Sequence, residues 1–203
     1  MIKNIVFDLG RVMVDFDPVA YLRSFGYPEE DVQLLSRVIF GVDWFLHDRG
    51  DYETIGDLCE ALAERHPSHA EQIRAVLSAP WVEMHVLKSD SAAYMAELKQ
   101  RGYHIYILSN LSAESHAFVS KYDFFRLAEG GVFSYQERSC KPEEKIYRAL
   151  LDRYSLLPEE TVFIDDNPAN IEEANRLGIH GVLFTDISAA KTETEGLLAS
   201  LRN

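Results

Sequence analysis

The chemically informative positions of this chain are carboxylates, a hydroxyl, an amide and an ammonium that stand beside short apolar runs. Asp8 directly follows Ile5-Val6-Phe7, so its carboxylate leaves the end of a buried strand, either as a turn former or as a group that reacts. Asp165 and Asp166 follow Thr161-Val162-Phe163-Ile164 in the same way. Two adjacent carboxylates there repel each other unless a cation intervenes, although they also fit as caps of the helix opened by Asn167-Pro168. Ser109 and Asn110 end the run His104-Ile105-Tyr106-Ile107-Leu108. They suit an N-cap pair and an anion site equally, because the free N–H groups of a helix start attract negative charge. Lys141 precedes Pro142 and, taken alone, reads as a solvated lysine. Asn170, one helical turn past Asp166, fits the surroundings of a bound cation or the satisfaction of helix-end groups.

Whether these groups meet depends on the elements around them. The apolar runs at 5–7, 104–108, 161–164 and 181–184 predict strands. Helical patterns cover 91–101 closed by Gly102, 143–154 after Pro142, and 168–177 closed by Gly178. This alternation predicts an α/β fold, a Rossmann-like parallel sheet with helices on both faces, whose ligands sit outside the carboxyl ends of the strands. Residues 17–80 break the pattern. They hold four helix-like segments, 17–26, 28–40, 52–65 and 68–78, and no strand, with Leu58, Leu62, Ile73 and Leu77 at helical spacing. A small helical cap inserted after the first strand is the expectation, with 1–16 and 81–203 forming the core.

Read together, Phe7-Asp8-Leu9-Gly10, Leu108-Ser109-Asn110, Lys141-Pro142 and Ile164-Asp165-Asp166-Asn167 match four ordered motifs, and over nearly its whole length the chain resembles the haloacid dehalogenase-like hydrolase superfamily. The resemblance implies that Asp8 is a nucleophile forming an aspartyl-phosphate, that Ser109 and Asn110 bind the phosphoryl group, that Lys141 neutralises charge, and that Asp166 with Asp165 holds Mg²⁺. Physical chemistry supports that assignment. A phosphate monoester dianion near three carboxylates meets repulsion of roughly 4 kcal/mol per charge pair at ~4 Å for an effective dielectric near 20. One divalent cation and Lys141 bring three positive charges against Asp8, Asp165 and Asp166, and oxygen ligands favour Mg²⁺.

At Gly10 the chain departs from most phosphatases of that superfamily, which carry a second aspartate there as general acid and base. The family's Mg²⁺ contact at this position is a backbone carbonyl, which glycine retains. The side chain that protonates the leaving oxygen is missing, a loss of ~10²–10⁴-fold when the leaving group is basic. Anomeric sugar phosphates such as glucose 1-phosphate, with their more acidic leaving oxygen, suit such a site. Asp8-Leu9-Gly10-Arg11-Val12 also resembles the α-D-glucose-1-phosphate phosphatase-like subgroup. Water, Asp15 or a cap residue is expected to replace the missing acid and base. In the cap, Trp44-Phe45-Leu46-His47-Asp48-Arg49-Gly50 offers Arg49 for phosphate or hydroxyl contacts, His47 as a proton shuttle and Trp44 to stack on a sugar ring. The competing reading makes Trp44 a core residue and pairs Arg49 with Asp48 or Asp51. His85, His104 and His116 are read as structural or surface residues.

Composition removes other classes. With 20 Lys and Arg against 33 Asp and Glu, the net charge of −13 opposes nucleic-acid binding. No apolar run approaches the ~18 residues of a membrane span. Cys59 and Cys140 are the only cysteines, so a reducing, cytoplasmic setting is expected. The expected partner is a small phosphate ester. Two alternatives stand beside the phosphatase: a metal-independent 2-haloacid dehalogenase using the same aspartate, and a catalytically weak phospho-ligand-binding protein.

Overall fold

The computed structural model describes residues 1–200. In chain order the elements are β1 (Asn4–Phe7), β2 (Val14–Asp15), α1 (Pro18–Arg23), α2 (Glu29–Ile39), α3 (Val42–Asp48), α4 (Ile55–Arg65), α5 (Ala70–Ser78), β3 (Val86–Leu87), α6 (Ser89–Gln100), β4 (His104–Ser109), α7 (Ala113–Val119), β5 (Gly130–Phe133), α8 (Ser134–Glu137), α9 (Glu144–Tyr154), β6 (Thr161–Asp165), α10 (Pro168–Arg176), β7 (His180–Leu183) and α11 (Ile187–Ser200). Five strands form one sheet in the order β5-β4-β1-β6-β7, and every pairing in it is parallel.

Between their polar end residues the inner strands are apolar because both faces are covered, and the period-2 alternation sorts their side chains between two cores. Ile5, Phe7, Ile105, Ile107, Val162 and Ile164 enter one core with Tyr94, Met95 and Leu98 of α6 and Leu198 of α11. Val6, Tyr106, Leu108 and Phe163 enter the other, with Ile146, Tyr147 and Leu150 of α9 and Ala174 of α10. Central β1 pairs with β4 on one side and β6 on the other, Phe7 standing level with Ile107 and Ile164. The chain after β1 therefore builds the sheet in both directions. The crevice outside the strand ends at that reversal is where open α/β sheets bind ligands.

Between β2 and β3, helices α1 to α5 pack around their own apolar core. Leu58, Leu62, Ile73 and Leu77 meet Leu22, Val32, Leu35, Ile39 and Trp44 there. Asp17 accepts a hydrogen bond from Ala20 N at 2.9 Å and Pro18 opens α1, as the N-cap pairing predicts. Thr54 and Asp57 close a capping box on α4. Five helices replace the expected four, because α3, seven residues between Gly41 and Arg49, is too short to show a periodicity. The two-residue strands β2 and β3 pair antiparallel, Val14 with Leu87 and Asp15 with Val86. They too lie below the length at which a sequence pattern is readable. Strand β5 carries Gly130-Gly131 in place of β-branched residues. Tyr154 fills the space: its hydroxyl donates to Gly131 O and accepts from Gly131 N at 3.1 and 2.9 Å.

Candidate active site

Asp8 emerges from β1 with its backbone N–H bonded to Ile164 O at 2.9 Å, which holds it level with the ends of β4 and β6. Its Oδ1 accepts from Ser109 Oγ at 2.7 Å and lies 2.7 Å from Lys141 Nζ. Among the described residues its Oδ2 accepts no hydrogen bond. The Lys141 ammonium also reaches Asp165 Oδ2 at 2.6 Å and Leu108 O at 3.0 Å, so its three donors are all engaged. Asn110 sets the lysine's position. Its amide donates to Lys141 O at 2.9 Å and accepts from Lys141 N at 2.7 Å.

Burial raises the Asp8 carboxyl to about 6; Lys141 opposes that rise and Asp165 adds to it. For Lys141, burial works against the charged form, yet the two carboxylates outweigh it and hold the ammonium above its ordinary range. Asp166, half-exposed, is raised by burial and by neighbouring Asp165, with Arg11 and Lys141 opposing.

The two adjacent carboxylates have separate environments. Asp165 is fully buried and its oxygens are occupied by Lys141, by Asn170 Nδ2 at 2.9 and 3.0 Å, and by Asn167 N at 2.8 Å. Asp166 instead faces a solvent-connected cavity of about 360 Å³ together with Asp8, Gly10, Lys141 and Asn170. Oxygens of Asp8, Asp165 and Asp166 lie within 4.8 Å of one another. Asn170 Oδ1, buried in the wall of this cavity, has no hydrogen-bond partner. Hard oxygen donors, carboxyls of Asp8 and Asp166 raised by burial and by the nearby Asp165, and an unpaired buried acceptor fit a hydrated Mg²⁺.

The capping alternatives are resolved by neighbours. Ser112 caps α7 by accepting from Ser115 N at 3.2 Å, which leaves Ser109 and Asn110 out of the helix end. Asn167 caps α10 through Ala169 N at 3.0 Å, which leaves Asp166 free.

A second, smaller and partly open cavity of about 70 Å³ lies under the helical layer, lined by Leu9, Gly10, Phe16, Trp44, Asp48, His85, Ser109, Asn110, Leu111, Ser115 and Val119. Gly10 and Asn110 line both cavities. Trp44 thus borders the site while packing edge-on against Trp81 in the helical core, as its reading as a core residue has it. His47 and Arg49 line neither cavity. The His47 ring turns to α7, its Nε2 3.3 Å from Glu114 Oε2, and Arg49 is bound by Asp51. The expected shuttle and phosphate contact thus gain no support from these cavities, His47 and Arg49 being engaged by Glu114 and Asp51. Asp15 is likewise engaged, paired with Lys88 at 3.0 Å beside the β2–β3 pair. Three residues of the cavity walls were not read as reactive from sequence: Arg11, whose guanidinium is 3.6 Å from Asp166 Oδ2, His85 and Asp48. For Asp48 the only signal was its place in the aromatic and charged segment 44–50.

The chain belongs to the haloacid dehalogenase-like hydrolase family, whose sequence profile matches residues 2–178. It is 29% identical over 195 residues to D-ribitol-5-phosphate phosphatase of Bacteroides thetaiotaomicron, covering 88% of this chain and 89% of that one. The sesquiterpene phosphatase astK of Aspergillus oryzae is 25% identical over 201 residues, with 97% and 96% covered. A solved HAD-family enzyme from Bacteroides thetaiotaomicron, in complex with magnesium and inorganic phosphate, superimposes with a TM-score of 0.71 at 24% identity over 93% of this chain and 98% of the other. Among the described residues, no helix is long and apolar enough to cross a membrane.

Proposed function

We propose that this hydrolase is an Mg²⁺-dependent phosphatase of small phosphomonoesters, sugar phosphates such as glucose 1-phosphate among them, acting through an aspartyl-phosphate at Asp8. The observation that carries the reading is the unengaged Oδ2 of Asp8 in a solvent-connected cavity, while Oδ1 is held by Ser109 and Lys141. A carboxylate fixed at one oxygen and open at the other is oriented for in-line attack on phosphorus. Two relatives named as phosphatases add weight.

In this reading Asp8, Asp166 and the Gly10 carbonyl hold the Mg²⁺, with Asn170 Oδ1 accepting from its water. When bound, the cation neutralises the charge of the phosphoryl oxygens and keeps Asp8 ionised. Lys141 supplies the fixed positive charge beside the nucleophile, and Asp165 and Asn110 keep that lysine in place. Ser109 orients Asp8 and faces the phosphoryl group. Residues 17–80 serve as the cap that excludes water from the sheet ends, on a core of 1–16 and 81–203, with Trp44 in the wall that meets the leaving group.

The test is phosphate release from a panel of sugar, polyol, nucleotide and aryl phosphates, with and without Mg²⁺, for the parent and Asp8→Asn. Turnover that requires the cation and falls to background in the variant is expected. Chloride release from 2-haloacids without metal, or tight phosphate binding with no turnover of any ester, would replace the proposal. Metal-free dehalogenation would leave Asp166 and the unpaired Asn170 oxygen without a task.

A further inference from the structure

Gly10 leaves an opening. A Cβ built on it would meet nothing within 4 Å, and Gly10 lines both the solvent-connected cavity at Asp8 and the smaller cavity that also holds Asp48, His85 and Ser109. Asp8 opens into the solvent-connected cavity with Lys141, Asp166 and Asn170, and Gly10, Phe16 and Asn110 form the wall shared with the smaller cavity, so a phosphoryl group on Asp8 would stand at the boundary of the two. The apolar part of that smaller cavity's wall comes from Leu9, Phe16, Trp44, Leu111 and Val119. Of the side chains lining it, Asp48 and His85 are the ones of a type that serves as a general acid.

His85 is excluded by its tautomer. Its Nδ1 lies 2.8 Å from Val82 O, and a carbonyl only accepts, so Nδ1 carries the ring proton. Burial also pushes the imidazole below its ordinary value, which leaves Nε2 bare and unable to donate.

We propose that Asp48, reaching across from α3, is the general acid and base that position 10 lacks. The proposal rests on the phosphatase reading above and names a catalytic residue for it. The anchoring is direct: Ser134 Oγ donates to Asp48 O and accepts from Leu111 N at 2.9 Å. One buried hydroxyl thus ties the end of α3 to the loop that carries Ser109 and Asn110. Burial raises the Asp48 carboxyl to about 7, with the His47 ring and the Ser112 N–H opposing and Glu114 adding to the rise. Cys140 faces it as a thiol held neutral, its own value pushed up to about 12 by burial. Its place at the last residue of α3, beside the negative end of the helix dipole, also favours the protonated form.

The proton balance closes over one cycle. Asp8 attacks phosphorus and the P–O bond to the leaving group breaks. The Asp48 carboxyl gives its proton to that oxygen, releasing an alcohol and leaving a carboxylate. Water then attacks the aspartyl-phosphate and loses a proton to Asp48; the bond to Asp8 breaks, and inorganic phosphate leaves with Asp48 again protonated. The acid removes the restriction to activated esters that Gly10 alone imposes.

The deciding measurement is the pre-steady-state release of leaving group from a series of aryl phosphates, for the parent and Asp48→Asn. In the parent the rate should depend weakly on leaving-group acidity. In Asp48→Asn it should fall by ~10²–10⁴-fold for phenyl phosphate and by less than about tenfold for 2,4-dinitrophenyl phosphate. The activated ester should give a burst followed by slow turnover, since the second step has lost its base. A uniform loss across the series, or none, would overturn the assignment of Asp48 while leaving the phosphatase reading intact. No turnover by the parent on any ester would overturn both. Should Asn at 48 prevent folding, Asp48→Ala with added formate provides the second readout: restored phenyl phosphate turnover supports the proposal, and failure of formate to restore a folded variant overturns it.

Discussion

Asp8, Asp48 and Asp165 are the same residue type put to three uses by their surroundings. Asp165, with Lys141 and two asparagines on its oxygens, is a buried anion that positions the lysine. Asp8 shares that lysine and keeps one oxygen open. For Asp48 burial outweighs the opposing His47 ring, and its carboxyl shifts from an ordinary 3.8 to about 7. That shift links folding to pH. Below about pH 4 the group is protonated in both folded and unfolded chains, and its full favourable contribution is present. As pH rises toward 7 the unfolded chain loses its proton first, so folding weakens, and the contribution is gone above the folded value. Asparagine does not titrate. Asp48→Asn should therefore raise the melting temperature relative to the parent by more at pH 8 than at pH 5; an equal difference at both would show that this carboxyl is hydrated in the native protein. Of these residues, Asp8, Lys141, Asp165 and Asp166 were legible in the sequence because each adjoins a recognisable strand or Lys-Pro step. Asp48 was not, since nothing local to 44–50 says which of its side chains turns toward Gly10.

The element that settles this is α3 with the turn behind it. Gly50 has φ +83°, and a Cβ there would lie 2.9 Å from Tyr135 O, so the end of α3 approaches the backbone of α8 as closely as a glycine permits. Replacement by alanine adds a left-handed penalty of roughly 1–2 kcal/mol to that clash. Gly50→Ala should lower the melting temperature and reduce turnover of unactivated esters, because the Asp48 carboxyl moves with the helix end. Unchanged turnover of phenyl phosphate in a folded Gly50→Ala protein would argue against this anchoring. His47 serves the same docking. Its contact with Glu114 opposes the effect of burial and, with the backbone N–H groups of Glu114 and Ile55, holds that carboxyl down at about 2. The long helices α6, α9 and α10 were readable from periodicity and their flanking glycines and prolines. By contrast α3, β2, β3 and β5 are short, and their pairing partners fix them more than their own residues do.

At the scale of the whole molecule, a net charge of −13 surrounds a cavity whose local charge is set by Lys141, Arg11 and the metal it is proposed to hold. A doubly charged phosphate ester approaches against the overall field, which salt screens over about 10 Å at 0.1 M. At fixed free Mg²⁺, kcat/KM for such esters should rise as ionic strength increases from low salt, and should change little for a singly charged ester. A fall would mean that Lys141 and Arg11 dominate the approach. The two packed layers, a parallel sheet between its helices and a helical bundle with a separate core, make the smaller cavity a product of both: Gly10 and Asn110 come from the sheet, Trp44 and Asp48 from the bundle.

The sequence by itself determined four of the five strands of the sheet, the helices α6, α9 and α10 that cover it and the carboxylates at its ends. Those features follow from periodicity and from residues next to one another in the chain, where local sterics and burial act directly. Only the tertiary structure decided which of two neighbouring aspartates stays open, which candidate caps were replaced by Ser112 and Asn167, and that Trp44 and Asp48 are the side chains of α3 that line the cavity at Gly10. Each of these depends on the rotation of one packed element against another, a quantity that contacts distant in sequence set and no local pattern contains.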